Sequence, residues 1–184
     1  MDRLTRFIRR HPEGDEGFTL IELMVVVLII GILVAIAVPT FLGARNGAED
    51  KAVESSLRNA LTTAKTYYTN NNGYGATTAS DVAAFSTLEP SLAFVASGTA
   101  PANANTIEVS ASDTGTATGV CLVGLSKTGS WFAIYDTSSV GTYYMKSTTD
   151  PSTACATFAG AAASPLVTTP TAGSWSSTAT NAGW

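Results

Sequence analysis

The feature that most constrains this chain is an apolar run near its N-terminus with a single carboxylate close to its start. The run extends over residues 18–39, and residues 23–38 hold no charge and no side chain that forms hydrogen bonds. Its length suits one membrane crossing as an α-helix. Glu22 is the exception, because a charge at the centre of a membrane helix costs about 2.5–3.5 kcal/mol on insertion scales, and less near the edge. An ionisable group in this place indicates a functional site whose charge needs a partner.

The residues before the run differ from an ordinary secretory signal. Four arginines precede the run and favour a cytoplasmic location for that segment: Arg3, Arg6, Arg9 and Arg10. An ordinary signal places its apolar core before the cleavage site, whereas here the Gly17-Phe18 junction precedes the core. The stretch Gly17-Phe18-Thr19-Leu20-Ile21-Glu22-Leu23 resembles the class III signal of bacterial type IV pilins and of type II secretion pseudopilins. The resemblance covers roughly residues 1–68.

This resemblance implies how the N-terminus is processed and how the subunit assembles. A prepilin peptidase is expected to cut between Gly17 and Phe18 on the cytoplasmic side, and the new Phe18 amine is expected to be N-methylated. Glu22 is then expected to pair with the Phe18 amine of a neighbouring subunit, because a buried carboxylate is tolerated only when it is paired. Peptidase recognition, or capping of the helix N-terminus, is a compatible role for Glu22. An uncleaved signal anchor is the alternative to processing.

The pattern predicts five segments along the chain. Residues 1–17 form a cleaved leader, 18–42 a transmembrane and filament-core helix, 43–69 the amphipathic half of the same helix, 70–159 a globular domain, and 160–184 a tail rich in Ser, Thr, Ala and Gly. Apolar residues of the amphipathic half recur at intervals of three and four, which indicates a buried stripe: Ala44, Ala48, Ala52, Val53, Leu57, Ala60, Leu61, Ala64, Tyr67 and Tyr68. The pairs Arg45/Glu49 and Glu54/Arg58 are predicted to support the helix at i,i+4 spacing.

The weakest part of the predicted helix lies between Gly31 and Pro39. Pro39 has no N–H to donate to the carbonyl of Ala35, and its ring disturbs the preceding turn. We therefore predict a kink at Pro39. The resemblance to pili in which this region loses helicity on assembly also suggests local melting between Gly31 and Pro39, with a simple bend as the alternative.

Beyond the helix, short β-rich runs separated by turns predict an antiparallel meander over residues 106–112, 118–126, 131–136 and 142–147. Residues 73–105 are predicted as a long connection with a short helix near 80–88. Such a sheet can bury one face and leave the other in water, and the amphipathic half of the helix is its natural cover. The predicted fold class is α+β, a long N-terminal α-helix packed on a small antiparallel β-sheet. The pilin resemblance implies the same ladle-like architecture.

Two cysteines are present, Cys121 and Cys155. Export to an oxidising compartment favours a disulfide between them, with two reduced, buried cysteines as the alternative.

The composition argues against an enzyme. The only histidine, His11, lies in the predicted leader, and two cysteines cannot form a Cys₄ zinc site. We therefore expect no catalytic residues, no metal and no cofactor. Calcium binding by Asp113, Asp136 and Asp150 is a minor alternative. Six basic residues against ten acidic ones after residue 17 give little support for strong nucleic-acid binding.

The sequence is therefore interpreted as the structural subunit of a type IV pilus. It is expected to span the inner membrane once before assembly, and to enter an extracellular helical filament of identical subunits through a pilus assembly ATPase and its platform machinery. The filament would serve adhesion, motility or DNA uptake. A minor pilin or type II secretion pseudopilin is the alternative within the class. A signal-anchored extracytoplasmic binding domain is the alternative from another class.

Overall fold

A computed structural model describes residues 17–75, 79–114, 117–138 and 141–152, together with Cys155 and Trp184. The elements follow in the order α1 (Leu20–Asn71), α2 (Ala79–Leu88), β1 (Ala93–Ala96), β2 (Thr106–Thr114), β3 (Ala117–Leu125), β4 (Trp131–Thr137) and β5 (Gly141–Ser147). The predicted leader up to residue 16, and the predicted tail apart from Trp184, lie outside the described residues. The chain divides into two compact units, Met1–Leu42 and Gly43–Trp184.

Helix α1 is a single element of 52 residues that contains Pro39. It ends at Asn71, and Asn72 adopts a left-handed conformation with φ of 54°, as is common for the residue after a helix C-terminus. The helix therefore extends two residues beyond residue 69, where its amphipathic half was predicted to end.

The buried stripe of α1 begins later than the sequence pattern predicts. Val53, Leu57, Ala60 and Ala64 are fully buried. The alanines predicted to precede them in the stripe, Ala44, Ala48 and Ala52, are exposed instead. Ala52 lies about 100° around the helix from Val53, because an α-helix has 3.6 residues per turn. The three alanines therefore follow a different face from the one that packs on the sheet.

The predicted antiparallel meander is confirmed for β2 to β5. The sheet has the order β1-β2-β3-β4-β5, and each neighbouring pair from β2 onward is antiparallel. The face toward α1 buries apolar side chains that form one core with the helix stripe, among them Ile107, Val109, Leu122, Phe132 and Ile134. The α+β fold class is therefore the one predicted.

Strand β1 was not predicted, because residues 73–105 were interpreted as a long connection with one short helix. That helix is present as α2, but Ala93–Ala96 adds a strand parallel to β2 at the edge of the sheet. Its backbone is fixed by pairing with residues 106–109, which sit ten or more positions further along the chain.

The second face of the sheet is not simply wet, as the prediction of one dry and one wet face implied. It carries a smaller buried cluster: Cys121, Val123, Ala133, Tyr135, Met145 and Cys155. Cys121 and Cys155 form the predicted disulfide, with a Cα–Cα distance of 5.7 Å. The disulfide thus attaches the segment after β5 to the face of the sheet that α1 does not cover.

Polar contacts fix both ends of the part of α1 that packs on the sheet. At one end Asp50 accepts a hydrogen bond from Thr128 Oγ1 at 2.6 Å and pairs with Lys146 at 3.3 Å. At the other end Lys65 lies 3.3 Å from the buried Asp136 of β4, which also accepts hydrogen bonds from Tyr74 and Thr142. The apolar stripe is held between these two groups of contacts.

One of the two predicted i,i+4 pairs of α1 is wrong. Glu54 and Arg58 do pair, at 3.8 Å, and the Glu54 side chain is buried. Glu49 instead lies 3.7 Å from Lys127 in the turn between β3 and β4. Arg45 is left without an acidic partner among the described residues. Lys127, next to the sheet, thus takes the Glu49 carboxylate that the i,i+4 spacing alone would assign to Arg45.

Candidate assembly site at the helix N-terminus

Thr19 and Glu22 cap the N-terminus of α1. The Thr19 N–H donates to Glu22 Oε2 at 2.8 Å, and Thr19 Oγ1 donates to the same oxygen at 2.7 Å. The Glu22 N–H donates in return to Thr19 Oγ1 at 3.3 Å. This reciprocal arrangement is a capping box, in which a Thr and a Glu three residues later satisfy backbone donors that the helix leaves unpaired. Capping by Glu22 was predicted from the helix dipole alone, and the Thr-x-x-Glu spacing is the sequence signal that could have identified Thr19 as its partner.

The capping box leaves the Glu22 carboxylate accessible. Glu22 is exposed, and both hydrogen bonds from Thr19 end on Oε2. Gly17, Phe18 and Thr19 precede the helix, and the Phe18 side chain is 84% exposed. The predicted site residues Gly17, Phe18 and Glu22 therefore lie together at one exposed helix terminus. The free amine predicted at Phe18 requires cleavage, so the structure of the unprocessed chain does not test the pairing.

The helix that follows is apolar on every side over its first part. All residues from 18 to 42 are exposed in this single chain, including large side chains such as Leu28, Ile32 and Phe41. An 18-residue window of α1 has a mean hydropathy of 3.1, and the helix is long and apolar enough to cross a membrane. An apolar surface of this kind needs a cover of lipid or protein.

Comparison with known proteins finds relatives that share this N-terminal segment. The family model described as "Prokaryotic N-terminal methylation motif" matches residues 14–38. The type IV wide pilus major component PilA4 of Thermus thermophilus is 44% identical over 59 residues, 32% of this chain and 45% of that protein. The type IV major pilin protein PilA of Myxococcus xanthus is 39% identical over 67 residues, 36% of this chain and 30% of that protein.

The N-terminal region of this chain is similar to that of type IV pilins and carries the methylation motif. A type II secretion relative matches as well: the core protein G of Escherichia coli is 44% identical over 55 residues, 28% of this chain and 38% of that protein. The chain thus spans less than half the length of each of these curated relatives. No solved structure matches the chain significantly. The pilin assignment therefore rests on the helix and its capped N-terminus, and not on the sheet.

The predicted weak point of the pilin helix lies within continuous helix in this structure. Helical assignment runs through Gly31 and Pro39, and Thr40 Oγ1 donates to the Ile36 carbonyl at 2.9 Å. A hydroxyl that bonds back to the preceding turn is a common cause of bending in helices. The kink at Pro39 stays a prediction. Melting between Gly31 and Pro39 also stays a prediction, because it concerns the subunit within an assembled filament.

The described residues of this chain hold no group of three or more His, Cys, Asp or Glu side chains that could bind a metal ion. Of the acids considered for calcium, Asp136 is engaged by Lys65, Tyr74 and Thr142, and Asp150 accepts hydrogen bonds from Ser152. The side chain of Asp113 lies outside the described part.

Proposed function

We propose that this chain is the structural subunit of a type IV pilus. The observation that carries the proposal is the exposed, capped N-terminus of α1. Gly17 and Phe18 precede the helix, Glu22 lies in its first turn, and every residue from there to 42 is exposed in the single chain. A prepilin peptidase removes residues 1–17, and the Phe18 amine is methylated. The mature subunit is anchored in the inner membrane by residues 18–42 until the assembly machinery transfers it into an extracellular filament.

The capping box explains how Glu22 serves both stages of this proposal. Before assembly, Thr19 donates to Glu22 Oε2, which lowers the cost of a carboxylate beside an apolar run because hydrogen bonds stabilise the charged form. After cleavage, the exposed carboxylate is available to the Phe18 amine of a neighbouring subunit. Register follows from this pairing, because any other axial offset leaves two charges unpaired in an apolar bundle, which is strongly destabilising.

The decisive test separates the charge of Glu22 from its capping role. Glutamine satisfies the capping box as glutamate does, but it carries no charge. We expect Glu22→Gln and Glu22→Ala both to abolish filaments in the sheared surface fraction, while intact mass shows cleavage before Phe18 and methylation of its amine. Normal filament yield from Glu22→Gln would mean that Glu22 acts only as a cap. A mature protein that starts at Met1 would instead favour a signal-anchored binding domain.

A pseudopilin of a type II secretion system is the second candidate, because the core protein G of that system matches the same N-terminal region. A minor pilin would share the same N-terminal chemistry. Deletion of the gene distinguishes a major pilin from a pseudopilin. Loss of the surface filaments on deletion identifies a major pilin, whereas surface filaments that remain while protein secretion stops identify a pseudopilin. Under all three candidates the protein is structural and not an enzyme.

A further inference from the structure

Arg45 stands apart from the other cations of the described chain. In the described part after residue 42, every other basic side chain lies within 4 Å of an acidic one: Lys51–Glu54 at 2.7 Å, Arg58–Glu54 at 3.8 Å, Lys65–Asp136 at 3.3 Å, Lys127–Glu49 at 3.7 Å and Lys146–Asp50 at 3.3 Å. Arg45 is exposed and has no such partner among these residues. Its charge is therefore available to a group outside the subunit.

The acids nearest to Arg45 in sequence contact cations of the globular domain instead. Glu49 is one helical turn from Arg45, but Lys127 holds it at 3.7 Å. The adjacent Asp50 is held by Lys146 and by Thr128 Oγ1. Both acids nearest to Arg45 in sequence are thus committed to the sheet, so the free guanidinium is a consequence of the fold.

The position of Arg45 along the helix matches the edge of a membrane. Residues 23–42 of α1 carry no charge, and their twenty positions span about 30 Å at 1.5 Å per residue, which is about the thickness of the hydrocarbon core. Arg45 follows Leu42 by three positions, and the side chain of Phe41, one helical turn before Arg45, is 69% exposed. An arginine so placed reaches the lipid headgroups while its stem stays along the apolar boundary.

We propose that Arg45 binds the phosphate of a membrane lipid at the outer interface and so fixes the depth of the subunit before assembly. This inference rests on the membrane stage of the proposed function. A planar guanidinium matches phosphate oxygens with two parallel hydrogen bonds.

The test uses the processed full-length chain with ¹³C-labelled arginine in vesicles of phosphatidylglycerol and phosphatidylcholine. Only Arg45 and Arg58 remain after residue 17, so Arg58→Lys leaves the label on Arg45 alone and Arg45→Lys leaves it on Arg58 alone. We expect ³¹P of the lipid to dephase the guanidinium ¹³C signal strongly in Arg58→Lys. Arg45→Lys is the matched control, and its Arg58 signal should stay undephased because that side chain pairs with Glu54.

Absence of dephasing in Arg58→Lys, or equal dephasing in both variants, would overturn the proposal. The intact mass of each sample keeps this result separate from the proposed function. If the leader is retained, the pilin processing fails, but its four arginines can be replaced by lysine and the same measurement still reports on Arg45 alone.

Discussion

The apolar residues of α1 before and after Leu42 differ in what covers them. Residues 20–42 are apolar all round, and every one of them is exposed in the subunit. Residues 43–71 bury one stripe of apolar side chains, and the sheet of the same chain covers that stripe. A helix that is hydrophobic on all faces must be buried by something outside itself. The first part therefore requires lipid or other subunits to cover its apolar surface, whereas the second part is covered by the sheet of its own chain.

The polar residues divide in the same way. In residues 20–42 the only charged group, Glu22, bonds to its own helix terminus through Thr19. In residues 43–71 three charged groups contact distant parts of the chain: Glu49 with Lys127, Asp50 with Lys146 and Lys65 with Asp136. The second part is therefore tied to the sheet, whereas the charge of the first part stays accessible to a partner.

The largest effect expected from this comparison is that the same substitution destabilises the globular domain in one part of the helix and leaves it unchanged in the other. Leu57 is fully buried, so Leu57→Ala should lower the free energy of unfolding of the globular domain by about 2–5 kcal/mol. Leu28 is 62% exposed, so Leu28→Ala should leave that free energy unchanged. Near-UV circular dichroism of the detergent-solubilised full-length chain in a denaturant series measures both. Similar losses in the two variants would contradict the division.

A smaller effect is expected at two glycines. In β3, a Cβ on Gly124 would lie 2.7 Å from Val53 Cγ1 of α1, which indicates that the helix approaches the sheet closely only because the side chain is absent. Gly124→Ala should therefore destabilise the domain by about 1–3 kcal/mol through overpacking. Gly47 lies in α1 with open space around it, and Gly47→Ala should stabilise the helix by up to about 1 kcal/mol. The same denaturant series checks both signs, and a gain in stability for Gly124→Ala would show that the helix can withdraw at no cost.

Local patterns predicted the elements that are governed by local physics. The uninterrupted apolar run predicted the first part of α1, the three-and-four spacing predicted Val53, Leu57, Ala60 and Ala64 as buried, and alternation with turns predicted β2 to β5. Strand β1 was missed because four residues, Ala93–Ala96, are too few to show a period, and parallel pairing with residues 106–109 decides their structure.

The contacts of the acidic side chains could not be predicted, because their partners are distant in sequence. Glu108 is buried between the N–H of Gly98, at 2.7 Å, and the hydroxyl of Ser152, at 2.8 Å. Glu49 pairs with Lys127 and not with Arg45. At the candidate site, by contrast, Thr19 and Glu22 are three residues apart, and their contact follows from local spacing alone. The most specific chemistry of the chain is for this reason also its most predictable part.

The smallest expected effect is a loss of stability in acid at the contact between α1 and the β3–β4 turn. Burial raises the pKa of the Asp50 carboxyl, but hydrogen bonds from Ser126, Thr128 and Lys146, with the charge of Lys146, outweigh it and leave the pKa below its usual value. A group whose pKa is lower in the folded state contributes stability above its unfolded pKa, here about 3.9, and loses that contribution as pH falls through the folded value. Asp50→Asn should therefore reduce stability at neutral pH and flatten its decline below about pH 4, whereas Asp150→Asn, at an exposed carboxylate outside this contact, should preserve the decline. Denaturant midpoints measured from neutral pH down to pH 2 distinguish them, and identical pH profiles for Asp50→Asn and the wild type would exclude Asp50 as the acid-sensitive link between helix and sheet.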